Sequence, residues 1–180
     1  TTMKKSLLTT ILFTGIIIAN AQTDKGDWMV GGSFRLNTAK NNTTISLTPN
    51  AGVFIIRNLA VGGNVGIDYS KLGSNKTTDF RIGPFARYYI TQANVRPIVH
   101  GSFNYVNRQI KNVTSNTEKG TNFFVGGGAA IFLNDQVSLD ALLGYNHTKL
   151  KGLDGSGGFA MTIGFQVYLL KDQVKKVRGK

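Results

Sequence analysis

Cysteine is absent from this 180-residue chain, which excludes a disulfide framework, a thiolate metal site and a cysteine nucleophile. Only two histidines occur and the acids are scattered, so no spacing suits a bound metal, and no cofactor is expected. No apolar run reaches the roughly 18 residues that a membrane-spanning helix needs. Negative charge is scarce: nine Asp plus Glu stand against 21 Lys plus Arg, for a formal net charge of +12. With 17% charged residues and a mean hydropathy of −0.07, the chain is nevertheless no disordered polyelectrolyte. A single globular domain or a membrane barrel remains.

Two residues precede Met3, and the stretch from Met3 to Ala21 has the three parts of a secretory signal peptide. Lys4 and Lys5 form the basic start, Leu7 to Ala19 the apolar stretch, and Ala19-Asn20-Ala21 the small-x-small cleavage site. Residues 1–21 are therefore expected to be removed, and residues 22–170 to form the mature fold. The stretch from 171 to 180 is charged and lacks alternation, which reads as a basic periplasmic tail.

From residue 27 onward apolar residues recur with period two, the mark of strands with one apolar face. Phe159, Met161, Ile163, Phe165, Val167 and Leu169 share one parity, while Gly158, Ala160, Thr162, Gly164, Gln166 and Tyr168 share the other. The same pattern runs through Trp28 to Leu36, Ile45 to Ile56, Ala60 to Ser70, Phe80 to Ile90, Val95 to Arg108, Phe123 to Leu133 and Val137 to Thr148. Leu142 is the one exception in its segment. Connections alternate between short (Arg57-Asn58-Leu59, Thr91 to Asn94, Asn134-Asp135-Gln136) and long and polar (Asn37 to Thr44, Lys71 to Thr78, Gln109 to Gly120, Leu150 to Ser156). An all-β, eight-stranded antiparallel up-and-down transmembrane β-barrel is expected, with both termini on the periplasmic side.

Alternation alone does not say which face meets lipid; the second parity does. It is crowded with Gly31, Gly52, Gly62, Gly66, Gly83, Gly126, Gly128, Gly144 and Gly164, which suit a tight interior and not a solvated surface. The apolar parity carries aromatics near its ends, Trp28 and Tyr88 at one and Tyr69, Phe80, Tyr105, Phe123, Tyr145 and Phe159 at the other, like two interfacial girdles. Through these features residues 27–169 resemble the small outer-membrane β-barrel proteins of the OmpX and OmpW type. The resemblance implies a monomer in the cell outer membrane, surrounded by lipid that includes lipopolysaccharide. It further implies that Thr162, Gly164, Val167 and Leu169 form the closing-strand signal read by the barrel-assembly machinery.

The interior parity holds Arg35, Asp68, Arg81, Arg87, Arg96, His100, Arg108 and Asp140. A barrel of eight strands is filled by side chains, and an unpaired charge there is costly, so Asp68 is expected to meet Arg81, and Asp140 to meet Arg87 or Arg96. Arg35 and Arg108, near the mouth, are expected to be hydrated. Lys71, Lys76, Lys111, Lys119, Lys149 and Lys151 fall in the outward loops, at the level of lipopolysaccharide phosphates. Such charge on an exported barrel does not indicate nucleic-acid binding.

Catalysis is not expected. His147 lies at the rim of the seventh segment, but Asn146 and Thr148 are poor substitutes for a serine and an orienting carboxylate. The glycine clusters do not open helices, so they are no phosphate loops. Pro49, Pro84 and Pro97 all lie within strands on the outward parity, and Pro84 with Pro97 suggests a weakened seam between strands four and five. The functional expectation is surface interaction, adhesion or envelope integrity through the loops, with an unknown surface ligand. Lateral uptake or binding of small hydrophobic molecules or lipid, involving Phe54, Phe85 or Phe124, is the alternative, and lipid modification the third.

Overall fold

The computed structural model describes residues 23–39, 42–72, 75–111, 116–171 and 174. The expected signal peptide and the tail residues Lys175, Lys176, Arg178 and Lys180 lie outside them. Eight strands succeed one another in chain order: β1 (Trp28–Ala39), β2 (Asn42–Ile56), β3 (Leu59–Leu72), β4 (Asn75–Tyr89), β5 (Val95–Lys111), β6 (Asn116–Asn134), β7 (Val137–Leu150) and β8 (Ser156–Leu169). Each pairs antiparallel with its neighbours, and β8 returns to β1 to close the barrel.

The two parities take the two faces that the sequence pattern demands. Val30, Phe34, Leu47, Ile67, Ile82, Val99, Leu143 and Ile163 are exposed on the outer wall, and all the girdle aromatics from Trp28 to Phe159 are exposed there too. The inward parity is narrow because glycines let the wall close. Gly126 and Gly144 face each other across β6 and β7, where a Cβ on Gly126 would meet Gly144 Cα at 2.7 Å and the Phe124 ring at 2.9 Å. The β2–β3 turn needs a left-handed residue, and Asn58 supplies it at φ 65°, a conformation asparagine tolerates better than most residues.

Two proline positions coincide with interruptions of the ladder. β2–β3 pairing skips Thr48 and Pro49, and β4–β5 pairing skips Gly83 and Pro84, each resuming in the same register. A missing N–H accounts for both. Pro97 sits near an end of β5, where its carbonyl still accepts from Ile90 N at 2.9 Å. The expected β4–β5 seam is thus a local gap, not a change of register.

The strands at the long-loop end run further than the alternation suggests. β5 has 17 residues and β6 has 19, so most of the expected loop from Gln109 to Gly120 is paired sheet. Lys71, Lys76, Lys111, Lys119 and Lys149 accordingly stand on strands, not loops, and Lys151 alone of that set lies in a turn. The backbone ladder continues past the apolar band because Thr, Ser and Asn pairs such as Thr44 with Ser70, whose hydroxyls are 3.1 Å apart, hold it without apolar contrast.

At the short-turn end residues 23–27 fold across the barrel base. Gly26 N donates to Phe54 O at 2.8 Å, Asn58 N to Thr23 O at 2.8 Å, and Lys171 N to Asp27 Oδ1 at 3.1 Å.

Candidate functional site

The lumen has two halves of different chemistry. Toward the short turns, the inward parity of the strands places Met29, Phe54, Phe85, Tyr89, Ile98, Phe124, Phe132, Leu142 and Tyr168 in one buried cluster. Phe54 lies against Tyr89 and Tyr168 with ring centroids 5.8 and 6.3 Å apart, and Phe132 against Tyr168 at 4.9 Å. Phe54, Phe85 and Phe124, the expected contacts of a hydrophobic ligand, are packing residues of this plug.

The charges at the heart of the plug are matched. Arg87 NH1 lies 2.5 Å from Asp140 Oδ2, with both side chains almost wholly buried. Ser138 Oγ donates to Asp140 Oδ1 at 2.7 Å and lies 3.0 Å from the Tyr168 hydroxyl, which is 2.8 Å from that of Tyr89. One polar chain therefore runs from Arg87 on β4 to Tyr168 on β8 and back to Tyr89. Arg96 does not share Asp140. It donates to Ala93 O at 3.0 Å and Thr23 Oγ1 at 3.0 Å, and its guanidinium stands 4.2 Å over the Phe132 ring. That ring supplies a cation–π partner in the barrel base. His100 is half-buried between Phe85 and Phe124, and its Nδ1 accepts from Arg87 Nε at 3.3 Å.

Toward the long loops the lumen opens into a cavity of about 700 Å³. Its wall carries two ion pairs, Arg81 to Asp68 at 2.7 Å and Arg108 to Asp79 at 2.6 Å. Arg108, expected to be merely hydrated, has a bidentate partner, since its Nε also reaches Asp79 Oδ1 at 2.8 Å. Asp79 falls one residue outside the expected strand four, which starts at Phe80. It has the parity of Arg81 two residues on, and that spacing is the signal that marks it as inward. Arg35 donates to Thr162 Oγ1 from Nε at 3.2 Å and NH2 at 2.9 Å, and no carboxylate among the described residues pairs with it. Below the cavity a pocket of about 60 Å³ lies among Phe85, Arg87, His100 and Asp140.

Outside the lumen, His147 stands on the outer wall with Phe123 at 5.4 Å and Tyr145 at 6.3 Å between ring centroids. Its ring neighbours are aromatic, with Phe159 edge-on to Tyr145 at 6.1 Å. Lys71, Lys76, Lys119, Lys149 and Lys151 are exposed around the rim; the Lys111 side chain lies outside the described residues. Thr162 and Gly164 face inward, whereas Val167 and Leu169 face outward at the end of β8. Among the described residues no group of three His, Asp or Glu side chains is placed to hold a metal.

No protein-family model matches the chain, and no curated protein matches it in sequence. Solved structures do. Neisserial surface protein A aligns with a TM-score of 0.63 at 18% identity, over 79% of this chain and 97% of that one. The N-terminal β-barrel domain of Pseudomonas aeruginosa OprF aligns at 0.54 and 12% identity, over 81% and 98%. The Yersinia pestis outer membrane protein Ail, determined in a phospholipid bilayer nanodisc, aligns at 0.53 and 12% identity, over 79% and 99%. The chain has the fold of the small eight-stranded outer-membrane β-barrels.

Proposed function

We propose that this is an outer-membrane barrel protein that does not conduct and that acts through the rim its long strands raise above the bilayer. Its role is surface interaction, adhesion or envelope integrity. The observation that carries the reading is the division of the lumen. The half toward the short turns is sealed by the Phe54, Tyr89, Phe132 and Tyr168 rings and a matched Arg87–Asp140 pair, so no water path is built through it. At the other end β5 and β6 carry paired sheet well past the apolar band, giving a stiff polar collar. Two of the structural neighbours are named as a surface protein and an attachment invasion locus protein, which supports the same direction.

In this reading the short turns and both chain termini face the periplasm, and the collar faces outward. Lys71, Lys76, Lys119 and Lys149 then ring the wall at the height of outer-leaflet phosphates, where each ammonium gains from anion pairing. No residue of the collar is assigned to catalysis.

The test is a chain in which the β5 and β6 extensions, residues 107–120, are replaced by a short turn. Folding is checked by gel mobility, and attachment of cells bearing it is compared with that of cells bearing the full chain. Attachment is expected to fall with the barrel still folded. Unchanged attachment by a folded, trimmed barrel contradicts the reading.

A further inference from the structure

The barrel wall is not closed to the same height all round. β1 pairs with β8 at seven positions, from Trp28 opposite Leu169 to Phe34 opposite Ile163, whereas β1–β2 and β7–β8 each pair at twelve. Above Phe34, strand β1 has a ladder partner only in β2 among the described residues. Above Ile163 in space, residues Ser156 to Thr162 of β8 have one only in β7 among the described residues.

Seven paired residues span about 20 Å along a strand, or about 15 Å of height at the tilt usual for such barrels. The apolar band of an outer-membrane barrel is about 25 Å tall. The ladder therefore ends inside the band, on the side of the long loops. β8 agrees, because its next outward residues, Met161 and Phe159, are still apolar, and Phe159 is 85% exposed where no other girdle aromatic exceeds 46%.

Behind the opening is the 700 Å³ cavity, whose lining includes Gly157, Gly158, Phe159, Ala160 and Met161 of that same β8 edge. The cavity is thus continuous with the side of the barrel as well as with its mouth. At the lower corner of the opening stands Arg35, the register position after Phe34, clasped to Thr162 and without a carboxylate partner among the described residues. The other two arginines of the cavity are already paired, with Asp68 and Asp79, and Asp154 lines the outermost turn. Arg35 is half-buried and faces the lumen; among the described residues it forms no ion pair of its own, it shares Asp68 with Arg81, and an anion that meets it is stabilised.

We propose that the β1–β8 opening is a lateral binding site for an amphiphile with an anionic phosphate head and an alkyl chain. The head enters the cavity against Arg35, and the chain leaves through the wall along Met161 and Phe159. The seam itself does not depend on where the protein is housed, so binding in detergent tests it separately from the proposal of a surface role.

The probe is hexadecyl phosphate, titrated against the full chain in neutral detergent and read by native mass spectrometry and calorimetry, with inorganic phosphate and hexadecanol alongside. Saturable one-to-one binding of hexadecyl phosphate is expected, at least tenfold tighter than either control. Arg35→Gln should weaken it about tenfold. Ala160→Trp, which fills the cavity behind the seam, should abolish it. Equal binding of inorganic phosphate would overturn the proposal in favour of an anion site at the mouth only, and equal binding of hexadecanol would overturn the role of Arg35. No binding, or binding indifferent to Ala160→Trp in a folded barrel, overturns the proposal outright.

Discussion

Arg87 and Asp140 reach toward each other across the lumen from β4 and β7, 53 residues apart in sequence, and meet at 2.5 Å with neither side chain more than 4% exposed. Burial decides what such a pair is worth. Asp140→Ala leaves a guanidinium with no countercharge in the plug and is expected to cost about 3–5 kcal/mol, while an Arg87→Met, Asp140→Leu double replacement is expected to be near neutral. Urea unfolding in lipid vesicles, followed by gel mobility, checks both. A small cost for Asp140→Ala would mean that the base of the barrel is wet.

The Arg108–Asp79 pair has the same chemistry in a wetter place, with side chains 29% and 13% exposed. Water and salt compete there, so Asp79→Asn is expected to cost about 1 kcal/mol or less and to be salt-dependent. The comparison is made by repeating the urea titration at low and high salt.

Gly126 and Gly144 form a cross-strand pair under the Phe124 ring, with no room for a methyl group at either. Gly126→Val is expected to lower stability by about 1–3 kcal/mol and to reduce the folded fraction after refolding. Gly158, where a Cβ would meet nothing, is the control: Gly158→Val should refold like the parent.

Leu143 lies on the outer wall of β7 and is 61% exposed. Leu143→Arg places a charge against hydrocarbon and is expected to cost about 2–4 kcal/mol in vesicles. Lys149→Gln, further along the same strand at the rim, should change stability by less than about 0.5 kcal/mol. If both substitutions were silent, the outer wall would not be meeting lipid.

All eight strands are legible in the period-two alternation, because an apolar outer face and a mostly small or polar inner face contrast along each of them. That contrast fades where Thr, Asn and Ser occupy both faces, and there the strand ends are hidden: β6 begins at Asn116, not near Phe123, and Asp79 belongs to β4. The Asp68–Arg81 and Arg87–Asp140 pairs come from parity and the cost of a lone buried charge. The aromatic plug is less visible, since Phe54, Tyr89, Phe132 and Tyr168 sit on the parity that otherwise reads as small and polar. The short β1–β8 ladder leaves no mark in either strand's sequence. It depends on how far the first strand runs beside the last, a property of closure and not of local pattern.

A closed barrel with its apolar wall in the outer membrane is tested most directly by isolating the protein from an outer-membrane fraction and comparing its mobility in SDS gels with and without boiling. A faster unboiled band is predicted, the compact barrel persisting in SDS and shifting on heating. A soluble protein with one mobility in both lanes would contradict the membrane barrel.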